Sequence, residues 1–127
     1  MSKKKFYICP HCGNIVGVIN DGGVVPTCCA KRMLELEPNT TDAAGEKHVP
    51  VISVEGNLVT VNVGSVAHPM GEEHHIAWIY LATKSGGQRK VLKPGDEPKA
   101  QFALVEGDEA VGAYAYCNLH GLWYADK

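Results

Sequence analysis

Past Pro50 the chain carries the two-residue period of half-buried strands. In LVTVNVGSV, Val59, Val61 and Val63 alternate with Thr60 and Asn62, and in HHIAWIYLAT, Ile76, Trp78 and Tyr80 repeat the pattern. Gly56-Asn57 divides LVTVNV from VPVISV and is a hairpin signal. SGG, KPGDEP and EGDE then break the chain at intervals of about ten residues, with QFALV and AVGAYAYC between them, the spacing of an antiparallel sandwich. No segment past Pro50 has a convincing helical period.

The opening segment, FYICPHCGNIVGVINDGGVVPTCCAKRMLELEP, is different in texture. It is dense in Cys and Gly and has too few large apolar residues for a core of its own, so something else must hold it together. The texture changes at Pro38. NTTDAAGEKHVP follows as a linker-like stretch in which Thr41 or Asp42 can cap at most one short helical turn. The expected organisation is mainly β, with a small metal module over residues 1–37 and a β-sandwich over residues 38–127.

Length and charge narrow the function classes. A chain of 127 residues suits one domain, or a small metal-stapled module on a domain of roughly 90 residues. Twelve basic against 14 acidic residues, a formal charge of −2, provide no field to recruit nucleic acid or an anionic membrane. Lys3, Lys4 and Lys5 read as a solvated tip. MSKKKFYICP reaches Cys and Pro before any apolar stretch of useful length, so it does not read as a secretory signal, and no run approaches a membrane span. A cytoplasmic location follows as the expectation. The five cysteines, an odd number, are then metal ligands or reactive thiols rather than disulfides.

Four of them form one candidate site. In Cys9-Pro10-His11-Cys12 a tight turn lets both sulfurs face one ion, and Gly13 eases that turn. Cys28 and Cys29 are adjacent, and neighbouring side chains of an extended strand point to opposite faces. Both reach one metal only if the chain bends sharply there, which distorts the tetrahedron and separates this site from a ribbon with two CxxC turns. The ligands alone suit zinc and iron equally. His11 reads as an exposed turn residue.

The fifth cysteine, Cys117, belongs to a second constellation. Five of the six histidines lie beyond residue 47, in EKHVP, HPMGEEHH and CNLHGLW. A lone histidine is ordinarily a satisfied surface or core residue, but loops at one end of a sandwich bring distant residues together. If His48, His68, either His74 or His75, His120 and Cys117 share one ion, the donors exceed the four of structural zinc. They suit a square-pyramidal iron with one position open. Copper electron-transfer sites use fewer histidines and a weak axial ligand, for which only Met70 is near in sequence.

EKHVP, HPMxxEH with IxW just after it, and CNLHGLW, behind an N-terminal CxxC and CC, resemble desulfoferrodoxin, the two-domain class of superoxide reductase. The likeness covers nearly the whole chain, with the motifs in the same order. It implies a rubredoxin- or desulforedoxin-like module with iron on Cys9, Cys12, Cys28 and Cys29, followed by an immunoglobulin-like antiparallel β-sandwich. There iron takes His48, His68, His74 and His120 as equatorial ligands and Cys117 as axial thiolate. His74 is the family's ligand by position, and His75 stands where the family has an aromatic or other variable residue. Ala30 replaces the glycine usual after the CC pair; if that position needs a positive φ, alanine is strained by roughly 1 kcal/mol.

The resemblance further implies one-electron reduction of superoxide to hydrogen peroxide, with rubredoxin or a similar small carrier as electron donor and a homodimeric assembly. Neutral imidazoles and one thiolate leave the iron with a charge of about +1 when ferrous and about +2 when ferric, which attracts an anion. Lys47, next to His48, can add positive charge near the opening. Glu46 is a hard carboxylate matched to ferric iron and takes the vacated position in the family. Two other classes compete on the residues alone: a two-centre electron carrier without substrate turnover, and a zinc-bound structural protein.

Overall fold

The computed structural model describes residues 4–127, and these divide into two compact units, one up to Glu37 and the other Pro38–Lys127. Lys3 of the basic tip, and the first residues of the stretch weighed as a signal, lie outside the described residues. Lys5 is paired with Asp21 at 3.0 Å.

Five short strands build the first unit: β1 (Phe6–Ile8), β2 (Ile15–Gly17), β3 (Thr27–Cys28), β4 (Lys31–Arg32) and β5 (Leu34–Glu35). They form an antiparallel sheet of order β2-β1-β5 and a separate β3-β4 hairpin. The composition foretold how little apolar material is available. Tyr7, Cys9 and Met33 are its buried cluster, with Val18, Val25 and Cys28 packed against them.

The second unit contains one helical turn, α1 (Gly45–His48), with Ala44 at its start and no side-chain cap, so neither Thr41 nor Asp42 caps it. Seven strands follow: β6 (Pro50–Glu55), β7 (Leu58–Val63), β8 (Ile76–Thr83), β9 (Gly86–Val91), β10 (Lys99–Ala103), β11 (Ala110–Cys117) and β12 (Gly121–Asp126). They make two antiparallel sheets, β10-β7-β6 and β12-β11-β8-β9. The two-residue period is expressed as packing. Val59, Val61 and Val63 of one sheet and Ile79, Leu81, Ala113 and Ala115 of the other are fully buried in a shared core, closed by Phe102 and Ile76. Such a sandwich stands on burial of apolar area, at roughly 25 cal/mol per Å².

β9 is the strand that the hydrophobic pattern did not announce. GGQRKV has two glycines and no alternation, yet it pairs with β8 from Trp78↔Val91 to Thr83↔Gly86. A Cβ on Gly87 would overlap the Tyr80 hydroxyl and ring, so Tyr80 occupies the space that a side chain there would need. The linker-like stretch is also tied down. Asn39 donates its backbone N–H to the Leu122 carbonyl, donates Nδ2 to the Tyr124 carbonyl and accepts from the Tyr124 N–H, which covers the free edge of β12.

Registers determine where the loops go. Pro50 pairs with Val63, Ile76 with Cys117, and Cys117 with Gly121. The start of β6, the end of β7, the start of β8, the end of β11 and the start of β12 therefore lie at one end of the sandwich. Every histidine motif of the second constellation leaves from that end. Between Tyr116↔Trp78 and Cys117↔Ile76 the register shifts, leaving Ala77 as an extra residue on β8.

Candidate metal centres

The adjacent cysteines of the first unit sit on a two-residue hairpin. Thr27 pairs with Arg32 and Cys28 with Lys31, so Cys29 and Ala30 are the turn, with φ of 54° and 61°. Positive φ at both central residues is the I′ signature, and it supplies the sharp bend that adjacent ligands need. Ala30 thus occupies the strained region that glycine would enter freely. On the other side, Gly13 (φ 81°) closes the CxxC turn, with Gly13 N–H donating to the Cys9 carbonyl and Cys9 N–H to that of Asn14.

The two turns bring all four sulfurs within 4.8 Å of one another. Cys12 Sγ and Cys28 Sγ are 3.7 Å apart, and Cys28 Sγ and Cys29 Sγ 3.9 Å. Sulfurs about 2.3 Å from one ion at tetrahedral corners stand about 3.8 Å apart, so the residues fit. The Cys12 N–H points at Cys9 Sγ at 3.4 Å and, as the main cause, lowers the Cys9 thiol to about 6. Hydrogen bonding to Cys12 and then to Cys9 pushes the Cys29 thiol up to about 12. The fold thus favours the thiolate at Cys9 and the thiol at Cys28 and Cys29, where a cation would displace the protons. His11 is exposed.

In the second unit His48, on α1, and His68, five residues beyond the end of β7, are both 3 % exposed, and Cys117 is fully buried. His48 Nδ1 donates to the Ala44 carbonyl at 2.7 Å and His68 Nδ1 to the Pro69 carbonyl at 2.6 Å. A carbonyl only accepts, so each Nδ1 carries the hydrogen and each Nε2 a lone pair. Those lone pairs face one another at 3.1 Å, and His120 Nδ1 lies 3.2 Å from His48 Nε2.

Four rings close a quadrilateral. Centroids are 4.6 Å apart for His48–His68 and His68–His74, and 5.0 Å for His74–His120 and His48–His120, with successive rings at 77° to 86°. His48 and His74 face each other across it at 6.3 Å. Cys117 Sγ stands 3.9 Å from His120 Nδ1. Trp123 stacks on His48 at 4.8 Å and donates its indole N–H to the His120 carbonyl, so it packs beside the site as a wall. Gly121, at φ 78°, carries the chain out of the turn.

Whether a metal fits is answered by what the rings lack. His74 Nε2 is buried without a hydrogen-bond partner. Burial, reinforced by the neighbouring rings, pushes the His68 imidazole down to about 4, so its Nε2 stays a lone-pair donor at neutral pH. Nitrogens about 2.1 Å from one ion at right angles stand about 3.0 Å apart, close to the 3.1 and 3.2 Å observed. A cation bound by several imidazoles and one thiolate satisfies every one of these groups.

His75 is outside the quadrilateral, its ring Nδ1 donating to the Gly71 carbonyl at 3.1 Å, whereas His74 lies among the clustered donors. Glu46 and Lys47, on α1, are exposed. Burial holds the His74 imidazole below its usual range, and the Lys47 ammonium is among the charges that reinforce this. The Glu46 carbonyl accepts from Val66 N–H at 2.8 Å and from the Ser65 hydroxyl at 3.3 Å, and a Cβ on Gly64 would meet that oxygen at 2.5 Å. Gly64 was not singled out from the sequence; a glycine just after a strand gives no sign of what approaches it.

The sequence profile of the desulfoferrodoxin family matches residues 40–126. The chain belongs to the desulfoferrodoxin family. It is 54% identical over 117 residues to the desulfoferrodoxin homolog of Archaeoglobus fulgidus, which covers 92% of each chain. To the desulfoferrodoxin of Nitratidesulfovibrio vulgaris it is 49% identical over 122 residues, 96% of this chain and 95% of that one. The crystal structure of the superoxide reductase from Treponema pallidum superposes with a TM-score of 0.84 at 39% identity, covering 98% of this chain and all of the other. The four-cysteine cluster, and the cluster of His48, His74, His120 and Cys117 with His68 packed against His48 and His74, match the two iron centres of the family. No helix of the described residues is long and apolar enough to cross a membrane.

Proposed function

We propose that the protein is a superoxide reductase, an oxidoreductase that removes superoxide by reducing it to hydrogen peroxide. The observation that carries this reading is the convergence of four imidazoles and one buried thiolate, with His74 Nε2 left unpartnered. His48, His68, His74 and His120 are the nitrogen ligands of this centre and Cys117 its thiolate. Cys9, Cys12, Cys28 and Cys29 hold the other iron. Residues 1–37 are accordingly the desulforedoxin-like module and residues 38–127 the reductase domain.

Iron held by these residues would supply the single electron that, together with two protons, converts superoxide to hydrogen peroxide. A set of five protein donors would leave iron able to accept an anion as a further ligand. The carbonyls of Ala44 and Pro69 keep Nδ1 of His48 and His68 protonated and so aim their Nε2 lone pairs inward. Lys47 raises the positive potential beside His74, draws the anion in and donates a hydrogen bond to it. Glu46 has its carbonyl held by Val66 and Ser65 while the residue is exposed, so its carboxylate would be available as a further hard donor to the iron. Rubredoxin or another small carrier returns the electron, and the protein acts as a cytoplasmic homodimer.

The decisive experiment is pulse radiolysis of the reduced protein with superoxide. The expected result is rapid oxidation of the second centre, one hydrogen peroxide per electron and no dioxygen formed. An electron carrier without turnover would give no superoxide-dependent oxidation, and a zinc protein would be colourless throughout.

A further inference from the structure

We infer that Asn118 is a positioning residue: its side-chain amide holds the His74 backbone against the Cys117–His120 turn and so sets the geometry between His74 and the thiolate. The inference rests on the reading of this centre as an iron site.

The four histidines are not equally secured. His48 is carried on α1 and hydrogen-bonded through Nδ1 to Ala44, and His68 is bonded through Nδ1 to Pro69. His120 lies on the short turn between β11 and β12, its carbonyl gripped by Trp123. His74 lies near the end of the long β7–β8 connection, and its Nε2 has no protein partner. Its ring touches those of His68 and His120, but its Nε2 has no hydrogen bond to fix it.

Asn118 supplies what is missing. Its Oδ1 accepts from the His75 N–H at 2.8 Å, and its Nδ2 donates to the Glu73 carbonyl at 3.0 Å. Those groups belong to the two peptide units that meet at His74, so one amide grips His74 on both sides, as a neighbouring strand would. The Asn118 N–H adds a third bond, to the His75 carbonyl at 3.2 Å. Asn118 follows Cys117 directly, so the link between the two loops passes through a few rigid covalent bonds. A short turn inside the His74 loop completes the brace: Gly71 N–H donates to the His74 carbonyl and His75 Nδ1 to the Gly71 carbonyl.

A residue with only a general structural role would contribute to the core, whereas Asn118 is exposed and outside it. Its removal is therefore expected to alter the centre more than the fold. Asn118→Asp keeps the acceptor for His75 but sets a carboxylate oxygen against the Glu73 carbonyl. Asn118→Ser reaches neither group. Partners of this kind cost about 10–100-fold in metal affinity when changed.

The test uses the full-length iron-loaded protein with a chelator, reading iron retention, the thiolate-to-iron absorption and the melting curve. Expected for both variants are iron affinity lower by about 10–100-fold at the second centre, a shifted absorption band, and an intact cooperative melt. In the metal-free protein the His75 amide loses its hydrogen-exchange protection in Asn118→Ser. Wild-type iron retention and an unshifted band in both variants overturn the inference, as does loss of the folded state in both. Failure of the underlying reading has a different signature: no iron retained by wild type at this centre, or a Cys117→Ser spectrum identical to wild type. The His75 amide exchange decides the positioning role even then.

Discussion

The two cysteine-bearing regions solve the same problem in opposite ways. In the first unit the buried cluster of Tyr7, Cys9 and Met33 has a sulfur donor among its members, with Phe6 also buried, while Cys12 and Cys29 are exposed. In the second, 12 buried residues form a core spanning both sheets, and Cys117 is only one of them. The first fold is closed by its metal; the second exists beforehand and holds its donors at one end. Burial also sorts the chemistry. Exposed thiolates on tight turns suit a closed four-ligand site, whereas buried imidazoles with lone pairs turned inward suit a site that keeps one position for a substrate.

Metal removal should break this comparison most severely. Metal binding to a four-cysteine module contributes on the order of 10 kcal/mol of folding free energy, at least as much as the handful of side chains buried there, whose contribution the ordering entropy of the chain offsets. Stripping both metals at neutral pH is expected to unfold residues 1–37 and leave the sandwich strands protected. Amide exchange followed residue by residue is the measurement. Protection of Tyr7 and Met33 surviving in the metal-free chain would show that the small unit stands without its ion.

A smaller effect is expected from Gly64→Ala. The added Cβ would lie 2.5 Å from the Glu46 carbonyl oxygen and 2.9 Å from the Lys47 carbonyl carbon, both backbone atoms. The 45–48 turn must shift, at a cost of about 1–3 kcal/mol as in other overpacked sites. The melting temperature of the second unit should fall, and superoxide capture should slow with it because Lys47 and His48 move. The first unit should be untouched, its four-cysteine absorption unchanged.

Lys47→Ala separates steering from structure. Lys47 is exposed, so its loss should alter stability by less than about 0.5 kcal/mol. The capture rate should drop by roughly tenfold and lose most of its ionic-strength dependence, since electrostatic steering contributes about 10-fold or more in favourable clefts. Rates measured from low to high salt check this. An unchanged rate removes Lys47 from the mechanism.

Much of this architecture is legible from residues alone, for identifiable reasons. Val59, Val61 and Val63 alternate because one face of β7 is buried, and Gly56-Asn57 is the turn between β6 and β7. The donors are legible because few side chains can hold iron and they occur in clustered motifs. What escapes is whatever depends on backbone groups or on a neighbour. β9 has no pattern because its residues are mostly exposed, and only the ring of Tyr80 above Gly87 explains its glycine. The carbonyls of Ala44 and Pro69 orient two imidazoles, and any residue would supply a carbonyl. Asn118 and Gly64 act through the backbone of another loop, a relation that local spacing does not encode.

The smallest change returns to the first unit. Ala30 has φ 61° within the Cys29-Ala30 turn, a conformation costing roughly 1–2 kcal/mol for a residue with a Cβ. Glycine there removes that cost but gives the unfolded chain more freedom, an opposing term of about 0.4–1 kcal/mol. Ala30→Gly is therefore expected to stabilise the unit by a few tenths of a kcal/mol to about 1 kcal/mol. The gain should appear as slower loss of metal from the four-cysteine site to a chelator, with the second centre unaffected. Faster loss would mean that the turn gains more from the restriction alanine imposes on the unfolded chain than it loses to strain in the folded one.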